Sequence, residues 1–127
     1  MDELNILLVD DEEEFVGTLA ERLELRGIRV RVALDGERAL GLLEEETPHV
    51  VVLDIMMPGM SGIEVLRQIK QRRPDLPVIL LTGHGSTRDG IEGMQMGAFD
   101  YLMKPINIEE LLAKMQAAAT AGAARSR

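Results

Sequence analysis

The chain of 127 residues contains no cysteine and no tryptophan, and only one tyrosine and two phenylalanines. Without cysteine there can be no disulfide, no thiolate metal centre and no cysteine nucleophile. That composition fits a reducing compartment, and the cytoplasm is the expected location. With so few rings in a chain that is 46% hydrophobic, the core must be built from Leu, Val, Ile, Met and Ala. No apolar run approaches the roughly 20 residues that cross a bilayer, and the opening MDELNILLVDDEEE is acidic where a signal peptide would be basic. Basic charge is scarce as well. A total of 14 Lys and Arg against 22 Asp and Glu gives a net charge of -8, which leaves no cationic surplus to hold nucleic-acid phosphates. The acidic excess leaves room instead for a divalent cation.

What is present is alternation. The runs LNILLVD (4–10), IRVRVA (28–33), HVVVLD (49–54), PVILLT (77–82) and FDYLM (99–103) have strand character, and each is followed by a segment of helical length. In the first such segment, about 12–26, Phe15, Leu19 and Leu23 recur every four residues and predict one buried stripe. Helix starts are marked by Ser61 with Glu64 and Asn107 with Glu110, at capping-box spacing, and by Asp35 and Ser86 as N-caps. Gly27, Pro74 and Gly97 mark helix ends. Met94, Met96, Met103 and Met115 are expected to fill the core, and His49 to be solvated.

Five strand–helix repeats joined by short connections imply right-handed crossovers and a parallel sheet covered on both faces. The runs at 4–10, 50–53 and 78–81 are apolar throughout and belong at the centre. RVRV alternates and FDYLM is short and mixed, so both belong at edges. The strand order 2-1-3-4-5 satisfies these constraints, giving a doubly wound α/β, flavodoxin-like (βα)5 fold with a crevice at the carboxyl ends of strands 1 and 3. The length suits one domain, placed at 1–120, with 121–127 as a flexible tail.

The polar residues that end the apolar runs then share one rim: Asp10 and Asp11 after strand 1, Asp54 at the end of VVVLD, Thr82 at the end of VILLT, and Lys104 just past the fifth strand. Three carboxylates in one crevice repel each other unless a cation joins them, and oxygen donors of this kind suit Mg²⁺. With a lysine and a hydroxyl beside them, they describe a place where a phosphoryl group could sit on Asp54. Glu12, Glu13 and Glu14 are read as an acidic first helical turn that suits the helix dipole.

From ILLVDDE through VVVLDIMMPGMSGIEVL and PVILLTGHGS to GAFDYLMKP, the sequence resembles the receiver domain of two-component response regulators over essentially its whole length. The resemblance implies that Asp54 accepts a phosphoryl group from a histidine of a sensor kinase. Asp11 would be a direct Mg²⁺ ligand, Asp10 would hold the metal's water shell, and the Met56 backbone carbonyl would complete the site. Thr82 would turn toward the phosphoryl group, Lys104 would pair with it, and Tyr101 would follow Thr82 as a switch residue. The Lys104–Pro105 bond would be cis, and the side chains of Met56 and His84 would tune phosphoryl hydrolysis. The switch would act through the surface formed by the fourth helical segment, the fifth strand and the last helix. That surface would control an output partner or output domain, and a phosphorylation-dependent dimer is among the arrangements implied. The protein would thus be a phosphorylatable signalling switch that assists its own phosphotransfer and dephosphorylation, with no direct nucleic-acid or membrane contact. Val16, Gly17, Thr18 and Ala20, beside the first buried stripe, are the expected kinase contact.

The segment 83–97 holds five glycines, so the fourth helix is expected to be the least stable. The closing AAATAGAARSR offers no second core, which fits either a free-standing receiver or one cut from a longer regulator. Two rival classes share the architecture. A flavodoxin-like cofactor binder would need a phosphate-cradling loop where VDDEEE stands. A phosphatase with an aspartate nucleophile would carry a general acid close by, where Ile55–Met56 offers none.

Overall fold

The computed structural model of the chain describes residues 3–83 and 87–125. Five strands, β1 (Asn5–Val9), β2 (Arg29–Ala33), β3 (Val50–Asp54), β4 (Val78–Thr82) and β5 (Asp100–Met103), alternate with five helices. The helices are α1 (Glu13–Glu24), α2 (Gly36–Glu45), α3 (Gly62–Arg72), α4 (Thr87–Gln95) and α5 (Ile108–Arg125). All four strand pairings are parallel, and the order is β2-β1-β3-β4-β5, as the strand character predicts. The three central strands are buried at every position, which is why they read as unbroken apolar runs. The edges β2 and β5 are buried only in part.

Side-chain alternation along the strands divides the core into two layers. Leu7, Val9, Val51, Leu53, Val78 and Leu80 face α2 and α3, through Leu40, Leu43, Val65, Leu66 and Ile69. Ile6, Leu8, Val50, Val52, Ile79 and Leu81 face α1 and α5, through Leu19, Leu23, Leu111 and Met115. On the first layer α4 comes close to β4, because a Cβ at Gly93 would collide with the Leu80 side chain.

Helix starts follow the sequence signals. Arg38, Glu64 and Glu110 N–H groups donate to Asp35 Oδ1 (2.8 Å), Ser61 Oγ (3.3 Å) and Asn107 Oδ1 (2.9 Å). The expected cap at Ser86 lies outside the described residues, as does His84.

Four expectations need correction. The α1 stripe consists of Val16, Leu19 and Leu23, with Phe15 at its border, because the spacing 16-19-23 follows the 3.6-residue period more closely. Val16 is therefore buried and cannot form part of a kinase contact surface; Gly17 and Thr18 are exposed and Ala20 is partly so. Of the methionines, Met115 is core and Met96 packs at its margin, but Met94 and Met103 are exposed, at 39% and 48%, the latter because β5 is an edge strand. Finally, α5 runs on to Arg125, so the expected boundary at 120 falls inside a helix, with Gly122 packed on Pro77. His49 is exposed, yet its Nδ1 accepts from the Asn5 N–H at 2.9 Å.

Candidate functional site

The register pairs Val9 with Leu53, Asp54 with Leu81 and Thr82 with Met103, so the residues that end these strands come level at one rim. Asp10, Asp11 and Asp54 each offer a carboxylate oxygen within 4.8 Å of the others. Asp10 is fully buried and Asp54 is 4% exposed, while Asp11 is not buried. Two of the three carboxylates are tied by local backbone: Asp10 Oδ1 accepts from the Glu12 N–H (3.0 Å), and Asp54 Oδ1 accepts weakly from the Met56 N–H (3.4 Å). The Met56 side chain, in contrast, is 62% exposed.

Lys104 enters the cluster from the far side of the sheet. Its N–H donates to the Thr82 carbonyl (2.7 Å), which sets the chain direction just past β5, and the Lys104–Pro105 bond is cis. Nζ lies 2.9 Å from Asp10 Oδ2, 3.1 Å from Glu12 Oε1 and 3.8 Å from Asp54 Oδ2. The ring of Phe15 lies beneath it, with its centroid 4.4 Å away. Burial alone would lower the lysine's pKa, but the hydrogen bonds to Asp10 and Glu12 outweigh it and hold the ammonium above its ordinary value.

Asp54 moves the other way. Burial, and then the charge of Asp10, push its carboxyl up to about 6, although Lys104 and the Met56 N–H oppose the shift. A single lysine thus leaves the acidic cluster under-neutralised. The donor set is all oxygen, close-packed and in need of positive charge, which fits a hard divalent ion such as Mg²⁺.

Thr82 is 2% exposed and its hydroxyl donates to the Leu102 carbonyl at 3.4 Å. Tyr101 stands outward, 40% exposed, next to Gly90 of α4; a Cβ on Gly90 would lie 3.6 Å from the tyrosine ring and 3.8 Å from Thr82 Cγ2. Ile91, Met94 and Met103 are exposed on the same two elements, α4 and β5.

Two residues of the site escape a reading of the sequence. Glu12, taken for a dipole partner, reaches Lys104 instead. Gly62 lets α3 begin against the end of β3, since a Cβ there would collide with the Asp54 carbonyl oxygen and Ile55 Cα, while its N–H donates to the Ile55 carbonyl (2.9 Å). The sequence signal for Glu12 is faint: glutamate is a poor N-cap, and it stands where α1 needs one.

The family model described as the response regulator receiver domain matches residues 6–116. Among curated proteins, the chain is 43% identical over 114 residues to Response regulator MprA of Mycolicibacterium vanbaalenii, a match covering 90% of this chain and 49% of that protein. It is 46% identical over 112 residues to the Transcriptional regulatory protein CpxR of Klebsiella pneumoniae, covering 88% and 47%. The chain thus spans about half the length of these relatives. Among solved structures, a receiver domain protein from Clostridium thermocellum superposes with a TM-score of 0.89 at 35% identity, covering 92% of this chain and 94% of that one. The receiver domain of NtrX from Brucella abortus gives 0.87 at 32%, covering 91% and 98%. The chain belongs to the receiver domain family of response regulators, the phosphoacceptor modules of two-component signalling.

Proposed function

We propose that Asp54 is the phosphoacceptor, that Asp10, Asp11, Asp54 and the Met56 backbone carbonyl hold Mg²⁺, and that Lys104, Thr82 and Tyr101 carry the response. The observation behind this reading is a buried carboxyl raised to about 6, grouped with two further aspartates within 4.8 Å and faced by one lysine. When bound, Mg²⁺ would supply charge neutralisation and Lewis-acid pull on the phosphoryl oxygens.

The chain's own residues do the rest. An Asp54 carboxylate oxygen bonds to phosphorus as the phosphorus–nitrogen bond of a kinase phosphohistidine breaks; the electron pair of that bond goes to the nitrogen, and the imidazole, already protonated on its other ring nitrogen, leaves neutral. Lys104 neutralises charge on the transferring group, and the packed strand end holds the nucleophile in line. Little covalent machinery is required, and the protein acts as a switch that assists its own phosphotransfer and dephosphorylation.

Once an aspartyl phosphate stands at the rim, the Thr82 hydroxyl has a better acceptor than the Leu102 carbonyl at 3.4 Å. Turning toward it vacates space that Tyr101 can enter past Gly90, and the exposed face of α4, β5 and α5 changes shape. That is a population shift between two packings. The face, with Ile91, Met94, Tyr101 and Met103, is read as the contact for an output domain, an output partner or a second phosphorylated copy. For the kinase, the corrected contact is Gly17, Thr18 and Ala20, beside a groove lined by Phe15, Thr18, Leu19, Pro105 and Ile106 next to Lys104.

Incubation with acetyl phosphate and Mg²⁺ tests the reading. One stable phosphoryl group per chain, absent without Mg²⁺ and absent in Asp54→Asn, is expected. Rapid turnover without accumulation would indicate a phosphatase, and no reaction a cofactor binder.

A further inference from the structure

Lys104 has more partners in this site than pairing with a phosphoryl group requires. Its ammonium is held by three groups of the β1–α1 junction: Asp10 Oδ2 at 2.9 Å, Glu12 Oε1 at 3.1 Å and the Phe15 ring at 4.4 Å. Glu12 occupies the N-cap of α1 but makes no side-chain cap hydrogen bond. Its side chain reaches across to the lysine, and its N–H fixes Asp10 Oδ1, leaving Oδ2 free for Nζ. A residue that forgoes the local role of its position for a contact 92 residues away is held there by something other than helix formation.

From this geometry we infer that Glu12, backed by the face of Phe15, is a positioning residue for Lys104: it keeps the ammonium poised 3.8 Å from Asp54 Oδ2, beside the acceptor and off it. A lysine on four rotatable bonds loses much rotamer freedom when fixed, and a seat formed in the resting protein means that this loss has already occurred before a phosphoryl group arrives. Freed from Glu12, Nζ keeps the Phe15 ring and, as anionic partners among the described residues, the carboxylates of Asp10 and Asp54, and an ammonium drawn onto the acceptor masks it. Asp10 would not hold the lysine alone with the cluster's cation bound, because its oxygens would then serve that ion's site as well. The exposed Glu12 carboxylate, outside the three-aspartate group, remains available.

This inference rests on Asp54 being the acceptor, and the test separates the two. In Mg²⁺-free protein, acylation of lysines by acetic anhydride is read by mass spectrometry, with Lys70 and Lys114, the chain's other lysines, as internal references. Glu12→Gln is expected to raise the acylation of Lys104 alone. At saturating Mg²⁺, the same substitution is expected to slow labelling by acetyl phosphate roughly three- to tenfold, at or below the low end of what removing a group that orients a functional partner costs. Mere removal of negative charge from the path of an anionic donor would speed labelling. A faster or unchanged rate, or unchanged Lys104 acylation, overturns the positioning role. If the parent protein is itself not labelled at Asp54, the acceptor reading fails instead, and the acylation result still decides whether Glu12 seats Lys104.

Discussion

Burial and the charge of Asp10 hold the Asp54 carboxyl at about 6, above the ordinary aspartate value near 4. A folded state that binds this proton more tightly than the unfolded chain is favoured at low pH. The contribution is fully present below about pH 4 and is lost as pH rises through about 6. Without Mg²⁺, the stability gap between Asp54→Asn and the parent should therefore be small near pH 4.5 and should widen by about 1–3 kcal/mol by pH 7.5, in favour of the variant. Denaturant unfolding across that range checks it, and a constant gap would mean that Asp54 titrates normally. Asp10, Asp11, Asp54 and Lys104 were legible in the sequence because each ends, or closely follows, an apolar run that must be a buried strand. Glu12 and Gly62 were not, since one resembles any helix-start acid and the other any turn glycine. Only tertiary contacts, with Lys104 and with the Asp54 carbonyl, separate them from those readings.

Among the elements, α4 carries the largest conflict between local preference and position. It has nine residues, two of them interior glycines, and each such glycine costs about 1 kcal/mol relative to alanine. Amide exchange in the unphosphorylated protein should show α4 less protected than α1; equal protection would contradict the account of a switch element held at the low end of stability. The two glycines should also respond differently to alanine. At Gly90 a Cβ meets Tyr101 and Thr82 at ordinary contact distance, so Gly90→Ala should be neutral or stabilising by up to about 1 kcal/mol. At Gly93 the Cβ collides with Leu80, and overpacking should outweigh the helix gain, for a net loss of about 1–2 kcal/mol. Thermal melts of the two variants decide the matter. Strand order was readable because full burial and half burial leave different patterns, as VVVLD and RVRV show. The end of α5 was not, because AAATAGAAR is as compatible with a tail as with the helix that packs Gly122 on Pro77.

At the scale of the molecule, the net charge is -8, and three aspartates converge in one place. The folded domain should therefore bind Mg²⁺ in a way the unfolded chain cannot, gaining roughly 1.4 kcal/mol of stability for each tenfold rise in Mg²⁺ above its dissociation constant. A melting temperature that climbs with Mg²⁺ in the parent, and much less in Asp11→Ala, is expected; parallel curves would detach the ion from the aspartate cluster. All of this converges on one chemical event, a phosphoryl group on the side chain that ends β3. The most direct measurement is borohydride reduction of protein treated with acetyl phosphate and Mg²⁺, followed by tandem mass spectrometry to locate the reduced acyl phosphate. The account predicts modification at Asp54 and nowhere else. Modification at another residue, or none in folded, Mg²⁺-saturated protein, would contradict it.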